Sequence, residues 1–482
     1  MLNLQLIYPE IAISILALGL LIVELFVAAK HSRLLYHLAC VTSIIGLCLV
    51  GLTLSDAPHY QGLGTLWAVD PMSQFFKMLI LLTTVLCLLL GLEYRSLPPK
   101  HSGVFVCLLL LSSMGMMLLV SSVDLLLTFL SIELISITSF ILTGFERANP
   151  KSNEGSVKYF LFGTFSAAIM AYGISLFYGF AGTTKLIGIS QTGGPLLVLS
   201  VLLILLGLGF KASLVPMHFW VPDAYEGAPT PVTAYLSLAP KIATLGAMVR
   251  LFSVLLPASL LNVALDIKLT ALLAMIAGLT MTVGNFTAFF QNNVKRLLAY
   301  SSIAQAGYIL IGIVSGSTLG IEGVMLYSFI YVTMNLGAFA VAQVLADGNA
   351  KAGRDPYSLD SFNGLSQRSF GLSLAMAFFL LSLSGIPPLA GFLGKFYIFS
   401  AAVQSGHYGL AALGVINSVV SVYYYMRIVY HMFFMPAEEG ARLSIGPYIY
   451  GSLAVAVVSV LLFGIYPEPL VSSVQASAHY LP

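Results

Sequence analysis

Four ionisable side chains lie far inside long apolar stretches of the sequence, namely Glu133, Lys211, Lys241 and Lys395. A charged side chain at the centre of a membrane span costs at least about 2.5–3.5 kcal/mol if it faces lipid. Desolvation lowers the pKa of a buried ammonium group, and an approaching carboxylate raises that pKa again. A lysine whose partner moves therefore has a proton affinity that can be switched. We predict that these four groups form a proton relay, with a static buried ion pair as the structural alternative.

Three further ionisable residues, Glu24, Lys77 and Lys158, lie closer to predicted span ends. Their side chains are long enough to reach the membrane surface by snorkelling. A place in the relay is equally open for them.

The sequence around two of the lysines predicts broken helices. Lys211 lies in Gly207-Leu-Gly-Phe-Lys211-Ala-Ser-Leu-Val-Pro216, and Lys395 ends Gly385-Ile-Pro387-Pro388-Leu-Ala-Gly391-Phe-Leu-Gly394-Lys395. Proline removes a backbone donor and clashes with the preceding turn, while glycine loosens the helix. Breaks at membrane depth are tolerated where the freed backbone faces protein or a water-filled cavity. Two such helices, each with a lysine at the break, indicate an ion pathway.

The composition places these stretches in a membrane. Hydrophobic residues make up 59% of the 482 residues and charged residues 8%, against roughly 25% charged in a globular protein. A span needs about 20 apolar residues, so we predict an all-α polytopic membrane protein with about fourteen transmembrane helices. One helix more or fewer stays open. The predicted spans are 4–29, 34–54, 72–93, 102–121, 123–144, 155–181, 195–221, 232–256, 262–289, 297–316, 321–346, 369–404, 408–434 and 447–470.

The basic residues of the loops predict the orientation of the chain in the membrane. The loops on one side hold Lys30, Arg33, Arg95, Lys100, Arg147, Lys151, Lys295, Arg296, Lys351, Arg354, Arg368 and Arg442. The other side has Lys185 and Lys268, with Arg250 near a helix end. Cytoplasmic loops carry the excess of lysine and arginine. We therefore expect both termini on the outer, periplasmic side, and a first span that is retained and not cleaved as a signal peptide.

The two broken helices are the seventh and twelfth predicted spans, so they cross the membrane in opposite directions. Paired discontinuous helices of this kind are typical of inverted repeats. We expect residues 1–101 to form helices 1–3, 102–256 a first five-helix repeat, 257–434 a second, inverted five-helix repeat, and 435–482 the last helix.

Several other classes of function have little support. A net charge of +2 without a basic run argues against nucleic-acid binding. No glycine-rich dinucleotide fingerprint and no P-loop is present in the sequence. Cys40, Cys48, Cys87 and Cys107 lie in apolar stretches without CxxC spacing, and we interpret them as small hydrophobic residues, not as metal or iron–sulfur ligands.

Two motifs resemble signatures of the antiporter-like subunits of respiratory complex I. One is Gly-Phe-Lys211-Ala-Ser-Leu-Val-Pro216-Met-His218-Phe-Trp-Val-Pro222-Asp223-Ala-Tyr-Glu226-Gly-Ala-Pro229-Thr-Pro231-Val, and the other is Asn293-Val-Lys295-Arg-Leu-Leu-Ala-Tyr300-Ser-Ser-Ile. Within that family, the Pro-Asp-Ala-Tyr-Glu-Gly-Ala-Pro-Thr-Pro form and Lys395 are similar to the bacterial subunit N branch. The neighbouring subunit M carries a glutamate where this chain has Lys395.

The resemblance implies proton transfer along a central hydrophilic axis. It matches Glu133 to the fifth-helix glutamate that pairs with the seventh-helix lysine, here Lys211. It matches Lys241 to the connecting eighth-helix lysine and Lys395 to the terminal lysine of the twelfth helix. It also implies that this chain carries no redox centre, metal or cofactor, with flavin, iron–sulfur clusters and quinone on other subunits.

Positions beside this axis have two interpretations each. If the helix continues, His218 lies two helical turns after Lys211. In one interpretation His218 and Lys158 extend the relay; in the other, His218 is a structural histidine whose hydrogen bonds are satisfied. Related chains can carry a histidine where this chain has Gln305. Because glutamine does not titrate, a proton step there uses water, or Lys295 is structural only.

The expected function is that of a proton-translocating, non-redox subunit of NADH–quinone oxidoreductase in the bacterial inner membrane. The implied partners are subunit M, the small membrane subunits and the lipid bilayer, with no nucleic acid. Three alternatives stay open: a subunit of a cation/proton antiporter, a structural anchor of the membrane arm, and the same subunit in a relative of complex I with another electron donor.

Overall fold

The structure is a computed structural model that describes residues 7–27, 31–54, 60–62, 66–186, 195–255, 269–351, 355–437 and 443–478. Thirteen helices in these ranges are long and apolar enough to cross a membrane. One further crossing consists of two shorter helices separated by a break. The described chain is therefore an all-α polytopic membrane protein with fourteen crossings, which confirms the predicted fold class.

The crossings are numbered here α1–α14, and the two broken crossings are divided into parts a and b. Their bounds are α1 Tyr8–Phe26, α2 Arg33–Leu54, α3 Pro71–Glu93, α4 Ser102–Ser121, α5 Leu125–Thr143, α6 Pro150–Ala181, α7a Pro195–Ala212, α7b Val221–Gly227, α8 Thr230–Leu255, α9 Leu269–Ala288, α10 Val294–Val314, α11 Thr318–Lys351, α12a Phe370–Ser384, α12b Ala390–Gln404, α13 Tyr408–Phe434 and α14 Pro447–Ile465, followed by α15 Glu468–Ser477. Single helical turns occur at Pro99–His101, Leu359–Phe362 and Leu365–Arg368.

Differences from the predicted span boundaries have local causes. α6 begins at Pro150 and not at 155, because a proline fits the first turn and the side chain of Asn149 accepts a hydrogen bond from the Lys151 backbone N–H at 3.1 Å. At the start of α3, Asp70 accepts from the Ser73 N–H at 2.8 Å. Positions 4–6, 28–29, 256 and 262–268 of the predicted spans lie outside the described residues, as do the repeat boundary at 256–257 and the loop charges Lys30, Lys268, Arg354 and Arg442.

Both predicted breaks are present. α7a ends at Ala212, and the next residue, Ser213, has a φ of +64°. α12a ends at Ser384, and Gly385 has a φ of +87°, a conformation that glycine adopts without steric cost. Prolines in the two links, at Pro216 and at 387–388, cannot donate the hydrogen bonds that would continue a helix.

A short antiparallel hairpin, which the sequence did not predict, precedes α3. It pairs β1 (Tyr60–Gly62) with β2 (Trp67–Val69). Strands of three residues are too short for a hydropathy period to reveal them.

Burial divides the helices into central and peripheral ones. In their most apolar windows α10 and α11 are 94% buried and α8 is 89% buried, whereas α1 and α14 are 28% buried. The central helices hold ionisable side chains away from lipid, and the peripheral helices present apolar faces to it.

Candidate proton-transfer site

Lys211 lies in the last turn of α7a and is 1% exposed. Its Nζ donates hydrogen bonds to Tyr159 OH at 3.0 Å and to Ser136 Oγ at 3.2 Å. The ring of Tyr159 stacks on Trp220 with 3.9 Å between ring centroids, which fixes the position of the hydroxyl. The buried ammonium therefore has two neutral hydroxyl partners.

Glu133 lies on α5, half-buried, three residues before Ser136. Residues with this spacing share one face of a helix, so Glu133 lies on the same face of α5 as the hydroxyl that Lys211 contacts. Glu133 and Lys211 are within range of each other's charge without a direct ion pair between them. The structure thus brings Lys211 into contact with Ser136, on the Glu133 face of α5, and not with the Glu133 carboxylate itself.

Lys241 follows Pro240 inside α8 and is 1% exposed. Its Nζ donates to Ser302 Oγ of α10 at 2.7 Å and lies 5.4 Å from the centroid of the Tyr225 ring. A proline inside a helix frees a carbonyl and loosens the turn. Lys241 is thus a central buried ammonium whose hydrogen-bond partner is again a hydroxyl.

Lys395 lies in α12b and is 3% exposed. Its Nζ donates to the carbonyls of Leu383 and Ser384 at 3.0 and 3.1 Å, and to Ser418 Oγ at 2.8 Å. Those carbonyls end α12a, where backbone acceptors lack intrahelical partners and the helix dipole is negative. The ammonium therefore caps α12a across the break, and a cavity of about 790 Å³ lies beside it.

The two lysines at the breaks occupy opposite sides of them. Lys211 precedes its break, in α7a, and Lys395 follows its break, in α12b. The order of residues in the sequence already shows this difference, because Lys211 precedes Pro216 whereas Lys395 follows Pro387 and Pro388.

His218 lies in the link between α7a and α7b and is 7% exposed. The helix ends at Ala212, so the condition of a continuous helix, under which His218 would lie two turns after Lys211, is not met. Its Nδ1 has no hydrogen-bond partner among the described atoms, and its ring lies 4.5 Å from that of Phe219.

Lys158 belongs to a more exposed group of charges. It pairs with Glu154 at 2.6 Å and with Asp223 at 2.7 Å, and its side chain is 39% exposed. Arg296 joins the same group through Asp223 at 2.5 Å and Glu226 at 2.9 Å. Burial alone would raise the pKa of Asp223, but hydrogen bonds from Lys158 and Arg296 outweigh it and hold that pKa below its usual value.

Lys295 caps a helix end in the same way as Lys395. It is buried and donates to the carbonyls of Ala228 at 2.6 Å and Glu226 at 3.3 Å, at the end of α7b. These contacts fit the structural interpretation of Lys295.

Two buried ion pairs were not predicted as pairs. Lys77 Nζ lies 2.7 Å from Glu10 Oε1, and Arg250 Nη1 lies 2.7 Å from Asp70 Oδ2. Lys77 therefore does not snorkel, because α1 supplies a carboxylate at its depth. Glu10 and Asp70 lie next to prolines at the starts of apolar stretches, which is the one signal that marks them as buried helix-start residues.

Glu24, the third residue with an open role, accepts a hydrogen bond from the Gly103 N–H at 2.8 Å.

Among the described residues, no group of three or more histidine, cysteine or acidic side chains is arranged to hold a metal ion. The four cysteines are free thiols.

The comparisons with known proteins agree with this arrangement of helices. Residues 122–421 match the family described as NADH:quinone oxidoreductase/Mrp antiporter, transmembrane. The chain is 40% identical to the NADH-quinone oxidoreductase subunit N of Trichlorobacter lovleyi, over 98% of this chain and 96% of the relative. It is 38% identical to the protein of the same name from Rhodospirillum rubrum, with the same two coverages of 98% and 96%.

Solved structures give the same result for the fold. A chain of respiratory complex I from Thermus thermophilus superposes with a TM-score of 0.83 at 31% identity, over 97% of this chain and 99% of that one. A chain of the Mrp complex from Dietzia superposes with a TM-score of 0.82 at 20% identity, over 97% of each chain, which is a likeness of fold alone.

Proposed function

This chain belongs to the NADH:quinone oxidoreductase/Mrp antiporter family of membrane subunits, and from that premise we propose that it is the subunit N type. It translocates protons as a non-redox membrane subunit of an NADH–quinone oxidoreductase. Glu133, Lys211, Lys241 and Lys395 carry the protons, coupled to quinone reduction elsewhere in the complex. Flavin, iron–sulfur clusters and quinone are held by other subunits.

One observation carries the relay: the hydrogen-bond partners of the three central lysines are hydroxyl and carbonyl oxygens and not carboxylates. Lys77, by contrast, pairs directly with a carboxylate. A carboxylate in contact with a lysine stabilises the charged, protonated form of that lysine and so opposes release of the proton. A neutral acceptor stabilises the charged form much less. This difference favours a relay over a static ion pair for Lys211, Lys241 and Lys395.

The hydroxyl partners suit a group that changes its protonation state. A hydroxyl both donates and accepts, so Tyr159, Ser136 and Ser302 can bond to a lysine nitrogen with or without its proton. Among the described residues, Glu133 is the carboxylate whose charge acts on Lys211. Neutralising or displacing that charge releases the proton of Lys211 towards the centre of the axis.

The proposed setting follows from the family and from the loop charges. The chain lies in the bacterial inner membrane with both termini on the periplasmic side. Its neighbours are subunit M and the small membrane subunits. Residues 102–256 and 257–434 form the two inverted repeats of the proton path, flanked by helices 1–3 and the last helix.

The first test replaces Lys211 with alanine in the assembled complex. We expect proton uptake by inverted membrane vesicles, normalised to assembled complex, to fall by roughly 10²-fold, the usual contribution of a positioned proton-transfer group. Electron transfer from NADH to ferricyanide should be unchanged because flavin chemistry resides on other chains. Lys100→Ala, which changes an exposed lysine, is the control. Pumping equal to that of the control, or a parallel loss of ferricyanide reduction, would contradict the proposed role.

Affinity purification through a tag on this chain tests the setting. A complex that contains flavin and oxidises NADH with quinone supports the proposal. A flavin-free complex that exchanges sodium for protons would instead identify a cation/proton antiporter subunit.

A further inference from the structure

A group of buried neutral side chains lies between the sites of Lys241 and Lys395. Its centre is Gln305 of α10, whose Nε2 donates to the Leu383 carbonyl at 3.2 Å and to Tyr425 OH at 3.3 Å. Tyr327 OH donates to Gln305 Oε1, which leaves the amide N–H₂ pointing towards Leu383. Ser301 Oγ lies 2.5 Å from Tyr425 OH. All of these polar side chains are buried.

This group contacts both lysine sites. The Leu383 carbonyl accepts from Gln305 Nε2 and also from Lys395 Nζ, at 3.2 and 3.0 Å. On the other side, Ser302 accepts from Lys241 at 2.7 Å. Ser302 and Gln305 are three residues apart on α10 and therefore share a face.

The first half of the chain contains a matching arrangement in the same register. Asp124 caps α5 and Asn293 caps α10, and each of these cap residues makes an isolated antiparallel bridge, to Lys185 and Ser358 respectively. Twelve residues after the caps stand Ser136 and Gln305, and nine residues after them stand Glu133 and Ser302. Tyr159 and Tyr327 each lie nine residues beyond the first residue of α6 and α11.

The shared register matches the hydrogen-bond partners of Lys211 in the first half to residues at the corresponding positions near Lys395 in the second half. Ser136 and Tyr159 are the side chains that accept from Lys211, and Gln305 and Tyr327 stand in their places in the second half. Leu383, the penultimate residue of α12a, stands in the place of Lys211, the penultimate residue of α7a. Lys395 enters this second site from beyond the break and reaches the Leu383 carbonyl.

We propose that Gln305, oriented by Tyr327, is a positioning residue that keeps the Leu383 carbonyl hydrogen-bonded when Lys395 gives up its proton; this inference rests on the relay proposed above. A buried carbonyl left without a donor is costly. Because Gln305 donates to the same oxygen as Lys395, the carbonyl retains a partner after proton release. An amide does not titrate, so Gln305 itself carries no proton.

The sign of the effect follows from this role. As an ammonium, Lys395 has three N–H donors for its three acceptors, the Leu383 and Ser384 carbonyls and Ser418 Oγ, and as a neutral amine it has two. Without Gln305, release of the proton leaves one of these buried acceptors without a donor, and release becomes harder. Proton pumping by the complex, which requires this release, should then reach its maximum at a higher pH. The titratable side chains that face this site are Tyr308 from α10, whose ring centroid lies 4.6 Å from Lys395 Nζ, Tyr327 from α11 and Tyr425 from α13; no carboxylate among the described residues forms an ion pair with Lys395.

The experiment compares Gln305→Leu with Gln343→Leu in the assembled complex. Gln343 of α11 is a matched control, because it is equally buried and donates to a backbone carbonyl, that of Leu90, at 2.9 Å. We expect Gln305→Leu to lower protons pumped per NADH roughly tenfold at pH 7, the effect of one buried hydrogen bond, and to shift the pH profile upward. Gln305→His, which keeps one donor and one acceptor, should restore most of the ratio at pH 8.

Two results would overturn the inference: equal ratios in Gln305→Leu and Gln343→Leu, or a loss in assembly with an unchanged ratio and pH profile per assembled complex. Lys241→Ala and Lys395→Arg, measured per assembled complex, separate these failures from that of the relay. If both lysine variants pump normally, the proposed function fails. If both pump poorly while Gln305→Leu pumps normally, the role of Gln305 alone fails.

Discussion

At the scale of single residues, Lys395 has two tasks that one substitution can separate. Its ammonium caps α12a through two carbonyls at 3.0 and 3.1 Å, and in the proposed relay it also releases a proton. Arginine keeps the positive charge and the donors but cannot be deprotonated.

We therefore predict that Lys395→Arg assembles normally yet loses proton uptake by roughly 10²-fold, whereas Lys395→Ala loses both assembly and uptake. Immunoblotting of the complex and proton uptake by inverted vesicles measure the two properties. Normal pumping in Lys395→Arg would leave Lys395 as a helix cap only.

The sequence predicted the central ionisable residues better than their surroundings. Depth in an apolar stretch was enough to single out Lys211 and Lys241, because a charge at that depth must be paired or used. Their hydroxyl partners could not be predicted, since residues such as Ser136 and Ser302 carry no charge and membrane helices contain many serines. Lys77 lies closer to the end of its predicted span and was therefore expected to be able to snorkel; only the structure shows that it is buried and in contact with Glu10.

At the scale of helices, the Lys77–Glu10 pair joins α3 to α1 with both side chains almost fully enclosed. Removing one partner of a buried pair leaves an uncompensated charge and costs about 3–5 kcal/mol, whereas two apolar side chains of similar size can replace the pair at little cost.

Lys77→Met should therefore reduce the amount of assembled complex and its heat stability, and Lys77→Met combined with Glu10→Met should recover most of both. Gel analysis of assembly and thermal inactivation provide the measurements. Because this pair lies outside the proposed relay, pumping per assembled complex should stay normal in the double variant; a loss there would place the pair in the proton path.

Helix breaks were predictable and helix-to-helix geometry was not. Glycine and proline next to lysine indicated both breaks, since the backbone rules that they obey are local. Which atoms each lysine contacts depends on how the neighbouring helices pack. For that reason the sequence did not predict that Lys211 bonds to hydroxyls of α5 and α6 whereas Lys395 bonds to carbonyls of α12a.

At the scale of the whole molecule, the exposed charge cluster joins the two halves of the chain. Arg296 of α10 donates to Asp223 and Glu226 of α7b at 2.5 and 2.9 Å, while Lys158 and Lys151 hold the same carboxylates from α6. Only folding brings these three helices together, so the cluster could not be assembled from loop charges in the sequence.

The cluster should show a defined pH dependence. Burial alone would raise the pKa of both carboxyls, but the hydrogen bonds from the lysines and Arg296 lower the pKa of Asp223 and of Glu226. A lowered pKa in the folded state contributes stability above the unfolded values, about 3.9 for Asp and 4.3 for Glu, and this contribution is lost as the pH falls through the lower folded values.

We therefore predict that Arg296→Met destabilises the junction of the halves by about 1–2 kcal/mol at pH 7, because its two ion pairs are only partly buried. Heat dissociation of the purified complex, compared with wild type from pH 7 down to pH 3, measures the effect. Arg147→Met, which removes an exposed loop arginine, is the control. The difference between Arg296→Met and wild type should shrink as Asp223 and Glu226 become protonated, and should also shrink in high salt, which screens exposed charges. A difference that stays constant across this pH range would attribute the loss to packing of the arginine side chain and not to its charge.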